Sequence, residues 1–276
     1  MEPTIEPTID GTYNFRDVGI GPTMRRGLYY RSDNIKGITD LGVSQLSDLG
    51  VRTLIDLRSI MERSNKGNVA VPSHMRDLHF PLFMAEGMAT FDNTVIEFLT
   101  HLLRGPIGYC ELFMVVCDNP FLVKVQWLPI FELLASSDAV DPLVIFCAAG
   151  KDRTGLLSAL IQLLGNASHQ LIIEDFAKTA QNIPPMDLTL LRSTMPSIKK
   201  LVEVMNPSDN DLAQIFASEP KSMELFLVAF HQKYGNIENF FLSKIGMTKR
   251  QFEQMKRNVR VPATDAEGIA EVLSHL

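Results

Sequence analysis

The segment PLVIFCAAGKDRTGLLSALIQLLG (Pro142 to Gly165) restricts the fold of this chain more than any other stretch. Val144 to Cys147 is a short apolar run set off by Asp141-Pro142, which reads as a strand buried on both faces. From Thr154 to Leu164 the apolar positions are Leu156, Leu157, Leu160, Ile161, Leu163 and Leu164, a stripe wide enough to demand a mostly buried helix. Only a tight loop separates the two. A buried strand passing at once into a buried helix belongs to a parallel sheet covered by helices.

The rest of the sequence fits that frame. Leu28 to Arg31 and Thr53 to Leu57 read as short strands, and Leu78 to Leu82 as a weaker one. A helix over Thr39 to Leu49 ends at Gly50, a candidate C′ glycine. Thr94 and Glu97 form a capping-box pattern for a helix that Gly105-Pro106 stops. A further helix is expected over 121 to 135. After 164 every expected element is helical, at about 168–180, 194–205, 219–234, 236–245 and 248–259, the last opened by a Thr248/Gln251 capping box. The expected class is therefore α/β: a mostly parallel central sheet flanked by helices in three layers, with a helical C-terminal annex. Residues 1–10 (MEPTIEPTID) read as a flexible arm, 11–260 as a single domain and 261–276 as a tail. Breakers at Pro184-Pro185 and Pro207 bracket 183–210 as an insertion, with a helical lid over a pocket as its sharper role.

Composition removes several functions. The formal net charge of -6 is a poor start for a protein that tracks a nucleic-acid backbone, although a few residues can still build a local anion pocket. Three cysteines, Cys110, Cys117 and Cys147, are too few and too irregular for a disulfide framework. The six histidines are scattered without ligand spacing, so neither a metal nor another cofactor is expected. The acidic, proline-bearing N-terminus is unlike a signal peptide, and no apolar run approaches a membrane span, which makes the cytoplasm the expected compartment.

Chemistry concentrates between the strand and the helix. Five residues separate Cys147 from Arg153, and Thr154 follows. A loop entering a helix N-terminus can turn successive N–H groups inward, so Ala148, Ala149, Gly150, Lys151, Asp152 and Arg153 form a candidate phosphate cradle. Gly150 permits a backbone conformation that a side chain resists. The planar fork of Arg153 can hold two phosphate oxygens, and the same positive surroundings favour Cys147 as a thiolate. A thiolate under a cradled phosphate is placed for in-line attack on phosphorus, and the Thr154 hydroxyl can ease its later departure. A Walker-type loop would need Gly and Ser or Thr where this chain has Ile145 and Asp152.

CAAGKDRTG resembles the signature loop of cysteine-dependent protein tyrosine phosphatases, and most closely the single-domain bacterial and fungal branch with Cys-x-x-Gly-Lys-Asp-Arg. NFRDVG (Asn14 to Gly19), LYYRSD (Leu28 to Asp33), LIDLRSIMER (Leu54 to Arg63) and Tyr234 to Met255 resemble the same branch, in the same order. The resemblance implies a metal-independent phosphomonoesterase acting on phosphotyrosine, with phosphoserine, phosphothreonine or phosphoinositides as further substrates. It has no Trp-Pro-Asp tripeptide to supply the general acid, and Trp127 in Trp127-Leu128-Pro129 reads as core. The candidate acids are Asp152, where the resembling branch places its acid/base, and Asp56, at the end of a strand. Asp56 could equally be the structural partner of Arg16, Arg31 or Arg58. Lys151 could face the entrance and attract additional phosphates. Phe146 stands where many cysteine phosphatases carry histidine, so the nest and Arg153 are left to organise the thiol. Two other readings stay open: a catalytically silent phosphate-binding module, and a sulfur-transfer or arsenate-reductase type of thiol enzyme. Cys110 and Cys117 read as core, and Lys249, Arg250, Lys256 and Arg257 as a basic helix face.

Overall fold

Five strands pair in the order β1-β2-β5-β3-β4, and all but the first pair run parallel. They are β1 (Arg16–Asp17), β2 (Tyr29–Ser32), β3 (Thr53–Asp56), β4 (Arg76–His79) and β5 (Leu143–Phe146). The computed structural model describes residues 6–66, 72–82, 91–136, 141–185, 187–194 and 196–262. Side chains alternate between two cores, as a period of two requires. Tyr29, Ile55, Leu143 and Ile145 enter the larger core, and Tyr30, Leu54, Val144 and Phe146 the smaller.

The smaller core lies under α1 (Asp40–Asp48), whose Leu46 it buries. Gly50 follows α1 at φ +74°, and the N–H groups of Gly50 and Val51 satisfy the Ser47 and Leu46 carbonyls. The helix α2 (Ile60–Lys66) follows β3. On the other face lie α3 (Phe91–Leu103), α4 (Gly105–Asp118), α5 (Pro120–Leu122), a π-turn at Val123–Trp127, and α6 (Leu128–Leu134). After β5 come α7 (Asp152–Leu164) and α8 (His169–Asn182), then α9 (Leu188–Thr194), α10 (Pro196–Met205) and α11 (Asp209–Phe216). The chain closes with α12 (Pro220–Tyr234), α13 (Ile237–Asn239), a π-turn at Phe240–Ile245, and α14 (Lys249–Val259), whose Thr248/Gln251 capping box is formed.

Several local expectations are corrected. The weak third strand is Arg76–His79 rather than 78–82. Helix α3 already runs from Phe91, so Thr94 is not its cap. Helix α3 stops at Leu103, ahead of Gly105-Pro106 as expected, and the same pair starts α4, because a proline in the first helical turn loses no hydrogen bond. Trp127 and Pro129 are accommodated by the π-turn, which shifts the ladder just ahead of the proline. The end of the N-terminal arm is docked: Ile9 is buried in the smaller core, and the Asp10 N–H donates to Gln45 Oε1 at 2.8 Å. Within the 183–210 insertion, Ile198 and Leu201 on α10 are buried in the larger core. Most of the expected tail, 263–276, lies outside the described residues. Among the described residues no single helix is long and apolar enough to cross a membrane.

Candidate active site

Cys147 leaves the carboxyl end of β5, between β2 and β3, where parallel sheets gather their sites. The loop after it is held from outside by its carbonyls. Ala148 O accepts from the Asn34 N–H at 3.3 Å, and Asn14 Nδ2 donates to the Ala149 and Gly150 carbonyls at 3.3 and 3.0 Å. Arg31 Nη2 adds a bond to Gly150 O at 2.8 Å. With the carbonyls drawn outward, the N–H groups of Ala148, Ala149, Gly150 and Lys151 donate to no protein acceptor among the described residues, which is the arrangement of an anion nest. Gly150 has φ +63°, and a Cβ there would stand 2.3 Å from the Ser32 carbonyl oxygen, so the turn excludes any other residue.

Arg153 opens α7 with its fork already oriented. Glu62 on α2 accepts from Nη1 at 2.5 Å and Nη2 at 2.7 Å, and the Leu57 carbonyl accepts from Nη1 at 3.3 Å. The Nε edge of the guanidinium, with the second Nη2 hydrogen, is left for two oxygens of a bound anion. Burial alone would raise the Glu62 pKa; the charge and hydrogen bonds of Arg153, with bonds from Ser59, instead hold it at about 2. Glu62, which fixes the Arg153 fork, is a residue that the sequence reading did not single out. Its local signal was present: Ser59 and Glu62 form a capping box, with Ser59 N–H to Glu62 Oε2 at 2.8 Å and Glu62 N–H to Ser59 Oγ at 3.1 Å.

The two candidate acids differ. Asp56 is fully buried, and both of its oxygens accept from Arg58: the backbone N–H and Nε reach Oδ1 at 2.9 Å, and Nη2 reaches Oδ2 at 2.7 Å. It is thereby the structural partner of Arg58, one of the roles its position allowed. Asp152 has an Oδ1 cut off from solvent and without a hydrogen bond, 3.4 Å from Lys151 Nζ in a poorly aligned ion pair. Burial raises its pKa against the pull of Lys151 and Arg153. A carboxyl group that resists ionisation is what proton donation to a leaving oxygen requires. The Thr154 hydroxyl is buried and has no hydrogen-bond partner among the described residues.

Lys151 does not face the entrance. Its ammonium is 3% exposed and donates to Tyr109 Oη, the Ile215 carbonyl and, at 3.1 Å, the Ala217 carbonyl. Burial lowers its pKa. The end of α11 has unsatisfied carbonyls and a negative dipole end, and these attract the cation more strongly than the loop mouth does. Lys151 contributes its backbone to the nest and its side chain to the annex.

A second buried cluster backs the loop from the β2 side. Arg16 Nε and Arg31 Nη1 share the Asp175 carboxylate at 2.6 and 2.7 Å, and Gln162 Nε2 donates to it at 3.1 Å. Burial would raise Asp175, but Arg31 and Arg16 hold it at about 2; burial and the neighbouring Arg16 lower Arg31 to about 10. Two guanidiniums on one carboxylate leave an excess positive charge beneath the Gly150 carbonyl. Phe146 points to the opposite face, into the smaller core, with the Arg58 guanidinium 5.4 Å above its ring. Trp127 is core, stacked on Phe131. Burial raises both the Cys110 and Cys117 thiols, which keeps them protonated. Among the described residues no group of His, Cys, Asp or Glu could hold a metal ion.

Comparison with known proteins matches residues 7–261 to a family described as "Tyrosine phosphatase family". The "Triple specificity protein phosphatase PtpB" of Mycobacterium tuberculosis is 25% identical over 195 residues, covering 64% of this chain and 70% of that protein. A "Tyrosine-protein phosphatase" of Nostoc commune is 24% identical over 229 residues, covering 83% and 72%. Among solved structures, P. aeruginosa TpbA matches 78% of this chain and 96% of its own at 15% identity and a TM-score of 0.35. The core catalytic domain of PP-IP phosphatase SIW14 from S. cerevisiae matches 74% and 96% at 18% identity and a TM-score of 0.33.

Proposed function

The chain belongs to the tyrosine phosphatase family, and from that premise we propose that it hydrolyses phosphomonoesters through a phosphocysteine at Cys147. The observation that carries this reading is the loop itself: outward-tied carbonyls, unspent N–H groups, and Arg153 clamped by Glu62 with one edge left for phosphate. Cys147 Sγ attacks phosphorus in line with the ester oxygen. The S–P bond forms as the P–O bond breaks, and Asp152 gives its proton to the departing oxygen. Water then attacks phosphorus and yields a proton to the Asp152 carboxylate; the thiolate leaves, and Thr154 Oγ1 donates to it. Asp56 moves no proton in this scheme and anchors Arg58 instead.

Phosphotyrosine is the proposed main substrate. The Lys151 ammonium is committed to Tyr109 and the end of α11, which removes one of the two supports for phosphoinositides, the other being the family resemblance. An oxidisable thiolate nucleophile also favours a reducing compartment such as the cytoplasm. The test is hydrolysis of an aryl phosphate and of a phosphotyrosine peptide in the presence of chelator, with vanadate as inhibitor. Acid quenching during turnover should trap a phosphoryl group on Cys147. Turnover retained by Cys147→Ser, or arsenate or persulfide turnover exceeding phosphate release, would sink the proposal.

A further inference from the structure

The basic pairs of the last helix part company in the folded chain. Lys249 is spent on Glu238 and Glu253. Lys256 and Arg257 instead join Arg25 and Arg260 around a cavity of about 530 Å³, which also takes in Glu253 and Thr23. The site is built from paired backbone. Met24 bridges Arg260 in antiparallel fashion, the Arg25 N–H donates to Val259 O at 2.9 Å, and the Val261 N–H donates to Thr23 O at 3.0 Å. Arg25 Nε reaches the Arg260 carbonyl at 2.9 Å and Arg260 Nε the Leu164 carbonyl at 2.7 Å, so these two guanidiniums are oriented.

Four cations here face one carboxylate, and that carboxylate is engaged by Lys256 at 3.1 Å. The guanidiniums of Arg25, Arg257 and Arg260 have no carboxylate partner among the described residues; their bonds go to carbonyl oxygens and to Gln254. Burial lowers the pKa of Arg260, against the opposing pull of the Glu253 charge. In a chain of net charge -6, a cluster this one-sided is a marked local reversal.

We propose that this cavity binds a small anion bearing two or more phosphate groups. Guanidinium forks take phosphate oxygens two at a time, and forks from separate segments suit several phosphates better than one. The volume lies within the usual range of small-ligand pockets, about 300–1,000 Å³. The cavity sits at the carboxyl end of α7, whereas the catalytic loop sits at its amino end; thirteen residues of helix separate them by about 20 Å. The negative helix end would repel an anion, but Arg260 covers the Leu164 carbonyl and reverses the local sign. The inference does not depend on the activity proposed for Cys147.

The experiment titrates tripolyphosphate into the full chain by calorimetry, with vanadate present to fill the catalytic loop, at about 0.15 M salt. A saturable site should appear. It should weaken by about ten-fold or more in Arg25→Glu/Arg257→Glu, and measurably in Arg257→Glu alone, whose side chain bonds only Gln254. Lys124→Glu/Lys221→Glu changes net charge equally, at two exposed lysines away from the cavity and from Glu253, and should leave the affinity near wild type. Co-sedimentation with phosphatidylcholine vesicles containing phosphatidylinositol bisphosphate separates the sources: vesicle binding lost in the cavity variants identifies a lipid headgroup, and tripolyphosphate binding alone identifies a free anion. Absence of the site, its survival in both cavity variants, or an equal loss in Lys124→Glu/Lys221→Glu would overturn the proposal.

Discussion

At the amino end of α7, Arg153 is gripped by Glu62, and Arg16 and Arg31 divide Asp175 between them. Lys151, in the same place, is closed off by Tyr109 and two carbonyls, with the Asp152 carboxylate 3.4 Å away as its counter-charge. At the carboxyl end of the same helix, Arg25, Arg257 and Arg260 hold only carbonyl and amide oxygens among the described residues. Burial explains the difference. A cation out of water must have its counter-charge supplied by the chain, whereas a partly solvated one can wait for a ligand. The buried end is therefore preorganised, with its donors aimed before substrate arrives. The two ends should respond differently to the same kind of mutation.

Arg153→Lys gives the largest contrast. Glu62 can still hold an ammonium, but the flat edge that receives two phosphate oxygens is gone, so kcat should fall on the order of 10³-fold. Arg257→Lys at the other end should leave aryl phosphate turnover within about two-fold, as an exposed substitution remote from the loop does. Equal losses in the two variants would erase the distinction drawn between the ends.

The second contrast is in stability. Asp175→Asn strands two buried guanidiniums and should cost about 3–5 kcal/mol in urea unfolding, while Arg257→Gln should be nearly neutral. The pH dependence has the same origin. Asp175 and Glu62 have folded-state pKa values of about 2, below their ordinary 3.8 and 4.5. Groups lowered in the folded state stabilise it fully above the unfolded value and lose that contribution as pH falls through the folded one. Stability should therefore drop between about pH 4.5 and 2, and the part due to Asp175 should vanish from that slope in Asp175→Asn.

The same comparison shows what could be read from the sequence. Cys147, Gly150, Arg153 and Thr154 all fall within 147–154, and their arrangement is set by a local turn, so a string of letters carries it. The strands β2, β3 and β5 were legible because burial on both faces leaves an apolar run. Glu62 lies 91 residues from Arg153, and its capping box announced a helix start without saying what that helix would touch. Asp175 occupies an amphipathic helix, where a carboxylate reads as solvated; only the folded chain brings Arg16, 159 residues away, against it. Lys151 misled for a related reason. Its place in the loop was certain, but its direction is set by Tyr109 and the end of α11.

Asp152→Asn should produce a loss of about 10²-fold or more with a phosphotyrosine substrate. Because burial raises the Asp152 pKa, the acid stays protonated above the ordinary range, and kcat should decline as pH rises through the raised value. The amide cannot ionise, so that limb should disappear in the variant. An activated aryl phosphate with a good leaving group should be less affected. Asp56→Asn separates a catalytic acid from a positioning residue: it should destabilise the fold through Arg58 while keeping the alkaline limb. A limb that survives in Asp152→Asn and vanishes in Asp56→Asn would reverse the assignment.

Lys151→Met should have the smallest effect on turnover of the substitutions in the loop, and for that reason it probes the buried end most narrowly. The cation sits in the loop yet spends its donors on Tyr109 Oη and the Ile215 and Ala217 carbonyls. Removing it leaves Tyr109 Oη still able to donate to one of those carbonyls and the other short of a partner, a cost of about 1–3 kcal/mol in stability. The Met stem can replace the apolar contact with the Tyr109 ring, over which the ammonium lies at 4.9 Å. KM for an aryl phosphate should stay within about two-fold, because the backbone of Lys151, not its charge, faces the anion. A large rise in KM with unchanged stability would mean that the ammonium leaves Tyr109 and α11 to meet the substrate, and the buried end would then be as adjustable as the open one.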